Sequence, residues 1–227
     1  MASRKLTLST RAWDNAAMSP AAPLADDLLP MREACVQAAR EAIAEQGLEK
    51  LSLRDVARRL GVSHQAPYKH FPSRDHLLAE VLQRCYEAFA DALEARQRFD
   101  DPAADMESLG RAYIRYAVGN PLEYRLMFGN DWPEAAEYAE MYRAGLRAFD
   151  VLRAALRRLY GKGVPKAKVD ADAMFVWSSI HGLVSILQVS CCDHLDLATK
   201  VEAGLADHQL GMITHALRAA SGASGAG

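Results

Sequence analysis

The chain has 227 residues, a formal net charge of −2 and half of its residues hydrophobic, enough to bury a sizeable core in one or two domains. Its four cysteines show no disulfide-framework spacing, and Asp14 and Asn15 interrupt any apolar run near the start, which excludes a secretory signal. A reducing, cytoplasmic setting is the expectation.

Residues 1–26 carry Ala, Ser, Thr and Pro with Arg4, Lys5 and Arg11. They read as a disordered tail or, more sharply, as a basic arm for the DNA minor groove. Neither reading explains Trp13. Asp27 to Gln46 is an Ala-rich helix ended by Gly47, and Leu48, Leu51 and Leu53 lead into SLRDVARRLGVSHQAPYKHF, residues 52–71. There Val56, Ala57 and Leu60 line one helical face, Ser52 caps it with Asp55 three residues on, and Gly61 ends it. Val62 returns to the core. Ser63 is placed to cap a second helix to Phe71, with Pro67 near its first turn and Pro72 as its stop.

Helix, Gly-containing turn, helix is the pattern whose second helix enters the major groove. Gln65 suits adenine edges and Lys69 guanine or phosphate. Tyr68, His70, Ser52 and Ser63 suit phosphate oxygens, and Arg54, His64 and Arg74 complete the candidate DNA-contacting set. From Lys50 to Arg74 six basic side chains face Asp55 alone, +5 on a chain of −2, so the remainder sums to −7. One basic patch on an acidic protein is a nucleic-acid footprint; its bland counterpart is a helical hairpin with a solvated basic face.

At Gly61, Val62, Ser63, Tyr68, His70, Phe71, Ser73, Arg74, Asp75 and Leu77 the chain resembles the DNA-binding signature of TetR-family transcriptional regulators, over about residues 30–80. Pro67 departs from the Leu or Ile usual in that pattern.

Ser73 then caps a long helix to about Phe99, with Leu77, Leu78, Val81, Leu82, Tyr86, Phe89 and Leu93 inward, tying the head to the body. Asp100 to Ala104 reads as a break. Met106–Val118 is a helix with Met106, Leu109, Tyr113, Tyr116 and Ala117 inward. Asn120-Pro121 opens a short one closed by Gly129, and Trp132-Pro133 a long one to Tyr160. Ala167–Val189 is the most apolar stretch, but His181, Gln188 and its serines argue against a membrane span. The last helix runs from about Leu197 to Ala219, before a flexible tail.

NPLEYRLMFG and WSSIHG resemble the C-terminal domain of a TetR branch marked by Trp, His and Gly, here Trp177, His181 and Gly182. That resemblance implies a helical domain that dimerises through its last two helices and encloses a small-molecule pocket. The expected fold is all-α: a three-helix helix-turn-helix DNA-binding domain over 27–73, then a ligand-binding and dimerisation domain over 74–220, with 221–227 as a tail.

The candidate ligand-binding residues are Tyr113, Tyr116, Met127, Phe128, Tyr142, Trp177 and His181, with Met106, Trp132 and Tyr138 beside them; the competing assignment for each is plain core. Trp177 and His181 share a helical face, and Gly182 implies the close approach of another helix. Cys191, Cys192, Asp193 and His194 have metal-ligand chemistry, but adjacent residues point different ways and no second Cys/His pair has zinc-site spacing. Cys35 and Cys85 read as core hydrophobes. No cofactor is expected.

The resulting expectation is a homodimeric, ligand-responsive regulator, by default a repressor, on a near-palindromic operator, released by a small apolar or amphipathic ligand. The alternative is an all-helical enzyme or cofactor-binding protein. It lacks paired carboxylates at useful spacing, a Gly-rich phosphate loop and a nucleophile with a placed base.

Overall fold

The computed structural model of the protein describes residues 25–129, 133, 137–188 and 204–222. Among them every regular element is helical: α1 Ala25–Gln46, α2 Leu53–Leu60, α3 Arg74–Glu94, α4 Pro102–Gly119, α5 Pro121–Phe128, α6 Ala139–Tyr160, α7 Lys166–Leu187 and α8 Ala206–Gly222, with 3-10 turns at Leu48–Lys50 and Pro67–Lys69. The N-terminal arm with Trp13, the 191–194 run, Trp132 and the 223–227 end lie outside the described residues.

Local chemistry sets the boundaries in the head. Gly47, at φ 88, breaks the chain after α1. The Ser52 side chain accepts from the Asp55 N–H at 3.1 Å. The Asp55 carboxylate does not complete a capping box; it takes Arg58 and, at 2.7 Å, Arg59. Gly61 is left-handed at φ 66, and the Val62 N–H reaches back to the Ala57 carbonyl at 3.1 Å, the paired closure that a left-handed residue allows. Val62 is half-buried. Ser73 caps α3 by accepting from the His76 N–H at 3.3 Å.

α3 is the spine. Leu77, Leu78, Val81, Leu82, Tyr86, Phe89 and Leu93 are all buried, and one continuous core runs from α1 and α2 along α3 into the bundle of α4 to α8. Beside it, Arg40 of α1 pairs with Glu123 of α5, and Arg84 of α3 with Glu33 of α1.

Three expected boundaries move. α3 ends at Glu94, not Phe99, because residues 96–99 wrap around the buried Asp105 carboxylate. Arg96 donates to Asp105 at 3.1 Å and to the Leu93 carbonyl at 2.9 Å, and the Phe99 N–H donates to Asp105 at 3.3 Å. α4 begins at Pro102, inside the expected break: Asp101 accepts from the Ala103 and Ala104 N–H groups, and Pro102 sits where no N–H is needed. α6 is described only from Ala139.

Gly182 of α7 differs more. Among the described residues a Cβ there would meet nothing within 4 Å, so no described helix approaches it. The close crossing is at Gly110, where a Cβ would lie 2.2 Å from Leu210 Cδ2 and force α4 and α8 apart.

Arg96 and Asp105 side chains are each 1% exposed, Arg158 adds a contact to Asp105 at 3.2 Å, and Arg96 Nε finds no acceptor among the described residues. Removing the carboxylate's charge strands a buried guanidinium. Asp105→Asn is therefore expected to cost about 3–5 kcal/mol, read as a lower urea midpoint at unchanged slope.

Candidate functional site

Two places carry chemistry: the exposed face after α2, and a cavity inside the α3–α8 bundle.

The segment Ser63–Phe71 is not the regular helix expected from the sequence. Residues 64–66 form turns and Pro67–Lys69 a single 3-10 turn. Pro67 has no N–H, so the Ser63 carbonyl is taken by the Ala66 N–H at 3.0 Å. The Lys69 N–H then takes Ala66 at 3.2 Å, and the His70 N–H takes Pro67 at 3.0 Å. This spacing of three tightens the segment. Ser63 contributes its carbonyl here, and no side-chain cap forms at the start of the 3-10 turn. Buried Pro67 and Phe71 pin the segment down, with the Arg32 guanidinium 4.8 Å from the Phe71 ring centre.

Outward from this scaffold stand Arg54, Ser63, His64, Gln65, Tyr68 and Lys69, all exposed. The His64 and Gln65 side chains lie Nε2 to Nε2 at 3.1 Å. His70 is half-buried, and burial, then Arg32 and Lys69, lower its pKa. Ser52 is occupied as a cap, although its hydroxyl proton stays free to donate. Arg74, expected to contact DNA, also braces the head: it donates to the Leu51 carbonyl at 3.1 Å and the Leu48 carbonyl at 2.9 Å and pairs with Asp75. Arg58 and Arg59 share Asp55, and Arg59 also holds Glu45 at 2.7 Å. Of the six bases counted in the sequence, Lys50, Arg54 and Lys69 form no ion pair among the described residues.

The cavity is about 310 Å³. Its wall is built from Tyr86, Phe89 and Leu93 of α3; Met106, Leu109, Gly110 and Tyr113 of α4; Phe128 of α5; residues of α6 from Tyr142 to Leu152; Met174, Val176, Trp177 and Ile180 of α7; and Leu210, Ile213 and Thr214 of α8. It opens beside Tyr142, Leu146 and Met174, the exposed members of the wall.

Of the candidate ligand residues, Tyr113, Phe128, Tyr142 and Trp177 line this space, and so does Met106. Tyr116, Met127 and His181 do not. The Tyr116 hydroxyl turns to the Cys85 carbonyl at 3.3 Å, and Met127 is fully buried in the core. His181 sits behind the wall against the rings of Tyr124 and Phe128, with Nδ1 2.6 Å from the Tyr124 hydroxyl. The contributions of α3 and α8 had no separate signal in the sequence.

His181 ends a chain of hydrogen bonds. The Trp177 N–H donates to the Tyr113 hydroxyl at 3.2 Å, and the Tyr113 and Tyr124 hydroxyls are 2.9 Å apart. Indole can only donate, so the chain closes when Tyr113 donates to Tyr124 and Tyr124 to the bare Nδ1 of a neutral His181. Burial favours the neutral forms: it pushes the Tyr113 phenol up to about 12, raises that of Tyr124 and lowers His181. The Cys85 thiol is likewise pushed up to about 11, and Cys35 and Cys85 are both buried. No described helix is long and apolar enough to cross a membrane.

A basic head of helix, left-handed glycine turn and short second turn, carried by a helical bundle around an apolar cavity, is the architecture of a one-component regulator. Family comparison agrees. Residues 36–81 match the family of bacterial regulatory proteins of the tetR type, and residues 106–210 match the tetracyclin repressor-like C-terminal domain, together more than half of the chain. The chain belongs to the TetR family. The HTH-type transcriptional regulator Rv1816 of Mycobacterium tuberculosis is 35% identical over 103 residues, 43% of this chain and 43% of that protein; the match thus spans less than half of the relative's length. Among solved structures, the regulatory protein SCO4313 superposes with a TM-score of 0.64 at 24% identity, over 85% of this chain and 98% of the other. A TetR family transcription regulator from Marinobacter aquaeolei VT8 gives 0.59 at 18%, over 84% and 96%. These two share the fold.

The half-buried imidazole makes a pH prediction. Its folded pKa lies below its ordinary 6.5, so the unfolded chain binds more protons as pH falls. Its contribution to stability is complete above about pH 6.5 and is lost as pH drops from there towards the folded value. His181→Gln, whose amide oxygen can still accept from Tyr124, should flatten the acid-side fall of Tm. Equal slopes in both proteins would show that His181 does not titrate on unfolding.

Proposed function

We propose that the chain is a ligand-responsive transcriptional regulator, by default a repressor. It works in the cytoplasm as a homodimer on a near-palindromic operator and is released by a small apolar or amphipathic molecule held in the cavity. One observation carries this reading: α3 starts at the head, where Ser73 caps it, and ends in the cavity wall at Leu93, with one face buried along its length. Whatever fills the cavity bears on the helix that carries the head. A ligand preferring one setting of α3 shifts the dimer toward it, and operator affinity changes by the same coupling free energy.

In this reading residues 27–73 are the DNA-binding unit and 74–220 the effector and dimerisation unit, and Trp177, His181 and Gly182 mark a branch of the family. Gln65 and Lys69 are the reading residues, with Arg54, Ser63, His64 and Tyr68 on the backbone. The dimer rests on the outer face of α7 and α8. Met174, Phe175 and Ile186 of α7 and Met212 of α8 are about half exposed. Gly182, open towards the described residues, lets a partner helix approach there.

Lys69→Ala should weaken operator binding by about 1–3 kcal/mol, measured on a duplex selected from a random pool. A loss uniform over sequences, with a shallower salt dependence, assigns Lys69 to phosphate; a loss at one base pair assigns it to guanine. Unchanged affinity removes Lys69 from the interface and counts against the head as proposed.

Sedimentation equilibrium at micromolar concentration should give twice the 24.9 kDa chain mass without DNA. Phe175→Glu should give the chain mass while keeping the helical spectrum. A wild-type monomer defeats the two-half-site scheme.

A further inference from the structure

The chemistry of the cavity wall narrows what it can hold. We infer that the cavity selects neutral, apolar molecules whose one polar end, where there is one, lies at the mouth beside Tyr142, and that it rejects organic ions of either sign. The regulatory use of this selection rests on the function proposed above; the binding does not.

The donors of the wall's polar groups are already committed. The Tyr86 hydroxyl donates to the Met127 carbonyl at 2.7 Å, and Thr214 to the Leu210 carbonyl at 2.9 Å. The Trp177 N–H and the Tyr113 hydroxyl belong to the chain that ends on His181. A hydrogen-bond acceptor deep in the cavity would meet no free donor among the described residues and would give up its water without replacement. Tyr142 alone, at the exposed rim, has a hydroxyl with no hydrogen bond among the described residues.

No carboxylate, ammonium or guanidinium lines the space among the described residues. An ion entering it loses its hydration and finds no counter-charge. The aromatic rings raise the one real rival, an organic cation held by ring faces. Their geometry opposes it. Phe89 meets Tyr113 at 81° and Phe128 at 85°, and Tyr86 meets Phe128 at 89°, so in each pair one ring's edge takes up a face of the other and less open ring face is left for a cation. Phe149 already carries the Arg153 guanidinium at 4.5 Å from its centroid, and a second cation there would be repelled. At 310 Å³ the space lies at the small end of ligand pockets, about 300–1,000 Å³, which suits a single ring with a short substituent or a medium alkyl chain.

Three probes of nearly one shape test this: tert-butylbenzene, phenyltrimethylammonium and 4-tert-butylbenzoate, titrated calorimetrically into the full chain. The neutral probe should bind at least tenfold more tightly than either ion. A cation or anion within tenfold of it, or no binding of the neutral probe, overturns the assignment. Leu146→Glu places a carboxylate on the exposed rim, where folding tolerates it. It should raise phenyltrimethylammonium affinity at least tenfold. No gain would mean that the missing counter-charge is not what excludes the cation, and would overturn it too. Operator release, followed separately by DNA anisotropy, tells the two proposals apart. A neutral probe that binds without releasing DNA defeats the regulatory reading and leaves the ligand class standing. An ion that binds equally well and releases DNA does the reverse.

Discussion

The burial of one face of α3 along its whole length is the constraint on which the rest depends. Leu77, Leu78 and Phe71 pack the head onto its first turns, and Tyr86, Phe89 and Leu93 face the effector cavity at its other end. Each fully buried apolar side chain on such a stripe is worth about 1.5–3 kcal/mol against exposure, far more than any surface ion pair. A bend in the middle of α3 would open that stripe. Close-packed interiors resist continuous deformation and move instead between discrete packings. A change at the cavity end is therefore delivered to the head as a movement of the whole helix.

A second set of contacts joins the cavity wall to the head, through α5. Phe128 stands in the cavity wall, touching the rings of Tyr86, Phe89 and Trp177, while Glu123 on the same short helix pairs with Arg40 of α1. The pair is partly exposed and adds little stability. Its effect is geometric: it ties α1 to the helix that a ligand would displace. The His181 chain has a complementary role. It locks Trp177 and Tyr113 in place, so the wall they form is rigid, and its polarity runs away from the cavity.

What could be read from the sequence follows the range of the forces involved. Ser52, Gly61, Ser73 and the seven inward residues of α3 act within a turn or two of themselves, and each was legible. The ends that moved are governed by groups distant in sequence. Glu94 ends α3 because Asp105, eleven residues on, needs Arg96 and the Phe99 N–H. Pro67 was visible, but whether it would open an α-helix or tighten the segment depended on where the carbonyl of Ser63 found its donor. The site was harder still. Tyr113 and Met127 have the same inward periodicity, yet one lines the cavity and the other fills the core. Periodicity tells which face looks inward, but a cavity is the space six helices leave between them. His181 shares a face with Trp177, and still lies behind the wall because α5 supplies Tyr124 as its partner.

The charge economy of the head bears on why so small a cavity could govern DNA binding. The sequence count of +5 overstates what is free, since Arg58 and Arg59 are held by Asp55 and Arg74 by its own loop. Lys50, Arg54 and Lys69 remain, with the neutral donors Ser63, Tyr68 and Gln65. Phosphate contacts dominate affinity for duplex DNA, and each neutralised phosphate adds to the salt dependence by about one counterion. With three unpaired cations among its described residues, a single head is expected on the proposed reading to bind weakly. On the proposed reading, tight binding needs both heads at once, and the second contributes only while its spacing matches the next turn of the groove, about 34 Å away. A movement of α3 too small to unfold anything is then enough to cost the complex the whole contribution of one head. On that reading, weakness of the single head is what would make the dimer switchable.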